Sequence, residues 1–298
     1  MADTTVTAST TEAKKVNPQL ENFKIMWRKL RTNRLAMAGG FMIIFFLIVS
    51  IIGPQFTIHD PLMIDVNNKL QGPSAEHWLG TDHQGRDIFS RLIHGMSLTL
   101  YIGFSAVALG LIAGVLIGIV AGYYGKWIDT VLMRIMDVLL AFPSILLALA
   151  IIAVLGPSLN NVIYAVAIFS VPTFARIVRG STLSVRKLEY VDAVRALGAS
   201  DFRIIFKHIL PNILSPIIVQ ATLSIATTVL AASGLSFLGL GAQPPTPEWG
   251  AMLSAGRNFM REAPHVALFP GLAIVLVVLA FNVFGDGLRD ALDPKIKS

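Results

Sequence analysis

The chain has 298 residues, 54% of them hydrophobic and 14% charged, with a mean hydropathy of +0.67. That leaves too little polar surface to wrap one soluble core, which excludes an ordinary soluble domain and points to an integral membrane protein. The absence of cysteine excludes disulfides, thiolate metal sites and cysteine nucleophiles together, and the pI near 9.7 does not signal nucleic acid, because the basic residues cluster at the ends of apolar runs.

Residues 1–17, rich in Thr, Ala and Ser, read as a disordered tail. The stretch before the first apolar run is polar, so no cleavable signal sequence is expected and the first span stays as an anchor. Residues 18–34 place Leu20, Phe23, Trp27 and Leu30 at near-helical spacing among Lys24, Arg28, Lys29, Arg31 and Arg34. A basic amphipathic helix with an indole lies in the headgroup layer or docks on another subunit.

Residues 35–52 carry no charge and, at about 1.5 Å per residue, just cross a hydrocarbon core of ~30 Å. They form the first of six predicted spans. The loop 53–96 holds Asp60, Asp65, Glu76, Asp82 and Asp87 against Lys69, Arg86 and Arg91, an acidic excess that places it outside the cytoplasm. Asp82 or Asp87 can cap a short helix whose apolar side is Ile88, Phe89 and Leu92. Asp82, His83 and Asp87 have neither the glycine register of a calcium loop nor the paired spacing of a zinc site, so no metal is expected there.

Span two, residues 98–123, carries Gly110, Gly114, Gly118 and Gly122 at four-residue intervals. Such a ladder makes a smooth stripe on which a second helix can pack at backbone distance, or else a groove lining a path. Span three, 130–155, has Arg134 and Asp137 in its first turns, expected to pair at the membrane boundary, and Pro143 inside it, expected to kink the helix. No charge occurs from Val138 to Ala175, so the run must be divided, and Gly156 to Asn161 divides it. Span four, 162–178, contains Pro172.

The loop 180–211 is charged and amphipathic between two apolar spans, so it lies outside the bilayer and is yet built to be helical. Val191, Val194 and Leu197 share one helical face, while Arg186, Glu189, Asp192 and Arg195 share another, suited to water or a partner. Gly198 stops the first helix, Ser200 can cap a second with Asp201 in its first turn, and Pro211 closes the stretch. Span five, 212–232, leads to a glycine- and proline-broken segment, 233–265, read as a re-entrant loop on the outer side with Thr246 capping a helix that starts at Pro247. Span six covers 266–284. With both termini, the turn between spans two and three and the long loop around Glu189 in the cytoplasm, 19 of the 24 Lys and Arg residues fall inside, while the outer segments hold five against seven acidic residues.

Three segments carry a resemblance. Asp192, Ala193, Val194, Gly198, Ala199, Leu210 and Pro211 resemble the cytoplasmic loop pattern of ABC-importer permeases, with Asp in the place of Glu, Val for the second Ala, and His208 where Ile is usual. His77 to Gly95, and Gly241 to Gly250 with the C-terminal tail, are similar to the dipeptide, oligopeptide and nickel branch of that family. The resemblance implies an all-α polytopic permease with six transmembrane helices in a cell's inner or cytoplasmic membrane. It also implies a second permease, two ATPase subunits docked on the 180–211 loop, and an extracytoplasmic solute-binding protein as partners. The cargo class it implies is peptides or peptide-like solutes, with glutathione or nickel chelates as alternatives.

No phosphate-binding G-x-x-x-x-G-K-[ST], H-E-x-x-H or G-x-S-x-G motif occurs, so neither an ATPase site, a catalytic residue nor a cofactor is expected in this chain. An ion-coupled secondary transporter is the rival reading. It needs titratable groups at the bilayer midplane, and only Asp137 comes near.

Overall fold

The computed structural model describes residues 26–292, so the readings for the tail 1–17, for Leu20, Phe23 and Lys24, and for residues 293–298 lie outside the described residues. Among the described residues, secondary structure is helical apart from an isolated bridge between Thr81 and Asp87. Residues 26–32 are helical; Leu30 is buried and Trp27 exposed. Asn33 then caps α1 (Arg34–Ile52), accepting the Ala36 N–H at 3.1 Å.

The remaining elements are α2 (Ile88–Tyr124), α3 (Lys126–Ala141), α4 (Ser144–Leu155), α5 (Leu159–Arg186), α6 (Glu189–Ala196), α7 (Asp201–Arg203), α8 (Leu214–Phe237), α9 (Trp249–Gly256) and α10 (His265–Leu292). Five of them, α1, α2, α5, α8 and α10, are long and apolar enough to cross a membrane, and α3 with α4 brings the number to six if that bent pair is one span.

Several boundaries differ from the sequence reading, each for a local reason. Helix α2 starts at Ile88 rather than at 98, because Asp87 caps it and nothing between them breaks a helix. Its 37 residues are longer than a bilayer core requires, so one end projects beyond it. Pro143 does not merely kink a helix: α3 ends at Ala141, α4 begins at Ser144, and the two are bent by 91°. Proline disfavours the helical conformation in the residue before it, and Phe142 is accordingly extended, with ψ at 136°. Pro172, by contrast, stays within α5, which runs unbroken from its Ser158 cap to Arg186, well beyond the predicted span of 162–178.

In the segment 233–265 the cap is Glu248 and not Thr246. Its two carboxylate oxygens accept the N–H groups of Gly250 and Ala251, both at 2.9 Å, so α9 starts two residues later than Pro247. Burial pushes the Glu248 carboxyl above its ordinary range, against the pull of these N–H donors. Helix α8 extends to Phe237, and α10 to Leu292, past the predicted ends of spans five and six.

The centre of the bundle is the contact of α2 with α5. Gly110, Gly114, Gly118 and Gly122 all face α5 at a distance that leaves no room for a side chain. A Cβ on Gly114 would lie 2.4 Å from Phe174 Cβ, and one on Gly118 would lie 2.6 Å from the Ala175 carbonyl oxygen. In lipid, where apolar side chains gain nothing by leaving solvent, such backbone approach is what holds two helices together. Helix α8 crosses the same pair through Ile225 and Val229, and α9 is pinned on α2 by a hydrogen bond from Trp249 Nε1 to the Leu92 carbonyl at 3.0 Å.

Candidate functional site

The candidate site is the segment from α6 to α8, at the end of the bundle where α2 and α5 terminate. Helix α6 follows α5 after a break at Lys187 and Leu188. Gly198 sits at φ +80°, the left-handed region that costs other residues on the order of 1 kcal/mol. Ser200 accepts from the Arg203 N–H, opening α7, which passes into a π-helical stretch, Ile204–Ile209, and a 3-10 turn, Leu210–Asn212. The arrangement is helix, left-handed turn, helix.

Its inner side is apolar. Val191, Ile204, Ile205, Ile209 and Ile213 are buried against Ile119 and Tyr123 of α2 and Val178 of α5. Its outer side is not covered by the described residues. Asp192, Ala193 and Gly198 are exposed, and Val194, Ala199, Leu210 and Pro211 are half-buried. Leu197 does not join Val191 in the core; it is 87% exposed, because the turn at Gly198 carries it to the tip. Phe202 is also exposed and its ring lies 4.4 Å from that of Phe206, so the tip presents apolar side chains to water.

Polar contacts join this segment to the helix ends, and spacing alone does not reveal them. Tyr123 donates its hydroxyl to Asp201 Oδ1 at 2.7 Å, and the Arg195 guanidinium lies 5.9 Å from the Tyr123 ring centroid. Arg186 is not on the exposed face with Glu189 and Asp192. It reaches back to donate to the carbonyls of Gly122 at 3.1 Å and Tyr123 at 2.6 Å, satisfying groups that the end of α2 leaves unpaired. Asp192 pairs with Arg195 at 2.7 Å on the surface. Replacing Tyr123 by Phe keeps the ring and removes the bond to Asp201. We expect amide exchange across residues 201–212 to accelerate about tenfold, equivalent to about 1.4 kcal/mol. Unchanged exchange would show that apolar packing alone holds the segment.

The expected pair of Arg134 and Asp137 does not form. Asp137 instead pairs with Arg176 of α5 at 2.6 Å, and Asp129 takes a two-point contact from Arg179 at 2.5 and 2.6 Å. A contact between elements 39 and 50 residues apart wins over the one a turn away because α3 lies alongside α5 and brings the guanidinium groups into reach.

At the opposite end, the motif from His77 to Gly95 is divided between two arrangements. Asp82 is buried and paired with Arg86 at 2.7 Å, while Arg91 donates to the carbonyls of Pro61 and Pro245, tying the loop before α2 to the loop before α9. His83 stacks on Phe259 with centroids 5.3 Å apart, and burial holds its imidazole below the ordinary value against the opposing pull of Asp82. Asp87 faces the other way, onto His77.

The chain matches the family model described as binding-protein-dependent transport system inner membrane component over residues 114–298, and that of the N-terminal TM domain of oligopeptide transport permease C over residues 22–73. It is 54% identical over 283 residues to the dipeptide transport system permease protein DppC of Alkalihalophilus pseudofirmus, with 95% of this chain and 92% of the relative covered. It is 49% identical to the glutathione transport system permease protein GsiD of Pectobacterium atrosepticum, with 91% of each covered. Its fold is similar to that of the MetNI methionine ABC transporter in an inward-facing form (TM-score 0.55, 21% identity, 68% of this chain and 97% of that one). It is also similar to an amino acid ABC transporter (TM-score 0.51, 17% identity, 66% and 92%). With a family model over 114–298 and relatives about half identical along nearly their whole length, the chain belongs to the binding-protein-dependent transport system inner membrane components.

Proposed function

We propose that this multi-pass membrane protein is the permease subunit of an ATP-driven importer for peptides or peptide-like solutes, and that the segment around Gly198 is where ATPase subunits drive it. The observation that carries the coupling reading is the left-handed turn with its uncovered tip: Leu197, Phe202 and Phe206 are exposed on a segment whose inner side is packed against α2 and α5. Apolar side chains held in water on a rigid support fit a protein groove. The solute class follows from relatives named for dipeptide and glutathione transport. A second permease, two ATPases and an extracytoplasmic binding protein complete the assembly in this reading.

The charge distribution supports cytoplasmic termini and a cytoplasmic Gly198 segment. The two acids on α3, Asp129 and Asp137, are each paired with an Arg of α5, which supports a structural role for them over proton relay. In the mechanism, closure of the ATPases displaces the tip, and the bonds from Tyr123 to Asp201 and from Arg186 to the end of α2 carry that displacement into the two helices that pack through the glycine ladder.

Orientation is tested by labelling, which the lack of native cysteine makes simple. Ser254→Cys, on α9, is expected to react with a membrane-impermeant maleimide on cells stripped of any outer barrier, and Ser200→Cys only after permeabilisation. The reverse pattern would overturn the orientation. Vanadate, and not a protonophore alone, is expected to stop uptake; the opposite result would return the ion-coupled reading.

A further inference from the structure

Between α1 and α2 the chain has little regular structure: two short 3-10 turns and an isolated bridge. A connection of that length needs ties other than helix packing. Arg91 supplies one of them. A second polar cluster stands apart from it and from the segment around Gly198.

His77 and Asp87 are both more than nine-tenths buried, and His77 Nδ1 lies 3.0 Å from Asp87 Oδ1. Asp87 is also the cap of α2, its Oδ2 accepting the Ser90 N–H at 2.7 Å. Among the described residues its one ion-pair partner is His77, and no Lys or Arg neutralises it. His59 comes from the start of the same loop and lays its ring over that of His77, with centroids 4.7 Å apart. One ligating atom from each of His59, His77 and Asp87 falls within 4.8 Å of the other two.

Two imidazoles and a carboxylate are a donor set that zinc-type cations use. The outer nitrogen of His59 has the partner that metal-binding imidazoles have. Its Nε2 lies 3.0 Å from the Glu76 carbonyl, which can only accept, so Nε2 carries the proton and Nδ1 keeps a lone pair. An independent observation points to a ligand at the same place. Ser90 is fully buried, yet its Oγ has no hydrogen-bond partner among the described residues. It lines a small cavity of about 10 Å³ together with His59, Glu76 and Asp87. That volume suits one water-sized occupant.

We propose that His59, His77 and Asp87 hold a divalent cation of the zinc type, which ties the outer loop to the start of α2. Ser90 Oγ holds a water in the remaining coordination position. The cation takes the place of the proton shared by His77 and Asp87 and neutralises a carboxylate that has no Lys or Arg partner among the described residues. It is a resident structural ion and not cargo, so the site does not depend on which solute is carried.

The test uses the importer isolated with its partner subunits, stripped with a chelator, exposed to Zn²⁺ and desalted before metal analysis. Wild type is expected to retain one zinc per copy of this chain more than His59→Ala, for which zinc affinity falls about a hundredfold. His83→Ala, outside the cluster, is expected to match wild type. Hydrogen exchange separates metal binding from damage to the loop: with chelator present, wild type and His59→Ala are expected to protect residues 53–87 alike, and zinc to raise protection in wild type alone. Equal zinc in wild type and His59→Ala, an equal loss in His83→Ala, or protection that zinc does not change would each overturn the proposal.

Discussion

Gly118→Ala is expected to destabilise the protein, although alanine favours a helix over glycine by about 1 kcal/mol. The reason is distance. A Cβ at this position would lie 2.6 Å from the Ala175 carbonyl oxygen and 2.7 Å from Val178 Cβ, with the Arg179 nitrogen at 3.0 Å. Two of those three atoms are backbone and cannot rotate away, so α2 and α5 must separate at this point of their seam. Gly118→Leu extends the same clash and is expected to cost about 3 kcal/mol, enough to lower the yield of monodisperse protein as well as its Tm. Gly180 on α5 is the control, since a Cβ there meets nothing within 4 Å among the described residues. Gly180→Ala should leave Tm unchanged or raise it slightly. Should Gly118→Ala behave like Gly180→Ala, the ladder is a groove with slack and not a packing seam.

The second large effect is expected at Gly198, and there it should appear in coupling rather than in folding. Gly198 is exposed, and a Cβ added to it meets no atom of the described residues within 4 Å. Its φ of +80° penalises most side chains by about 1 kcal/mol, which a membrane-embedded bundle tolerates. Gly198→Glu should therefore be inserted and assembled normally, and yet lose most solute-stimulated ATP hydrolysis and uptake in vesicles containing all subunits. Gly198→Asn separates two causes, because asparagine tolerates the left-handed region. If backbone conformation alone matters, Asn retains coupling; if a side chain obstructs docking, Asn fails with Glu. Asp192→Ala should be milder, since the pair with Arg195 is largely exposed and such pairs contribute at most about 1 kcal/mol. Full coupling in Gly198→Glu would show that this segment does not transmit the ATPase motion.

By itself the sequence determined what depends on neighbours along the chain. Hydropathy over stretches of about twenty residues marked the membrane helices, because a helix in lipid satisfies its own backbone and needs only enough apolar length. The turn at Gly198 and the cap at Ser200 were legible for the same reason, and the cap of α2 was narrowed to Asp82 or Asp87: each depends on residues within one turn. Proline was legible only in part. Pro143 ends a helix and Pro172 does not, and the difference lies in the neighbours that surround α5 and leave the junction of α3 and α4 exposed. Tertiary structure alone decided partners. Asp137 had Arg134 a turn away, yet Arg176 on another helix took it, because side-chain reach depends on which helices lie side by side. The same holds for Tyr123 with Asp201, 78 residues apart, and for His59 over His77, where a loop without periodicity folds back on itself. Spacing encodes which residues share a face; only packing brings two faces together.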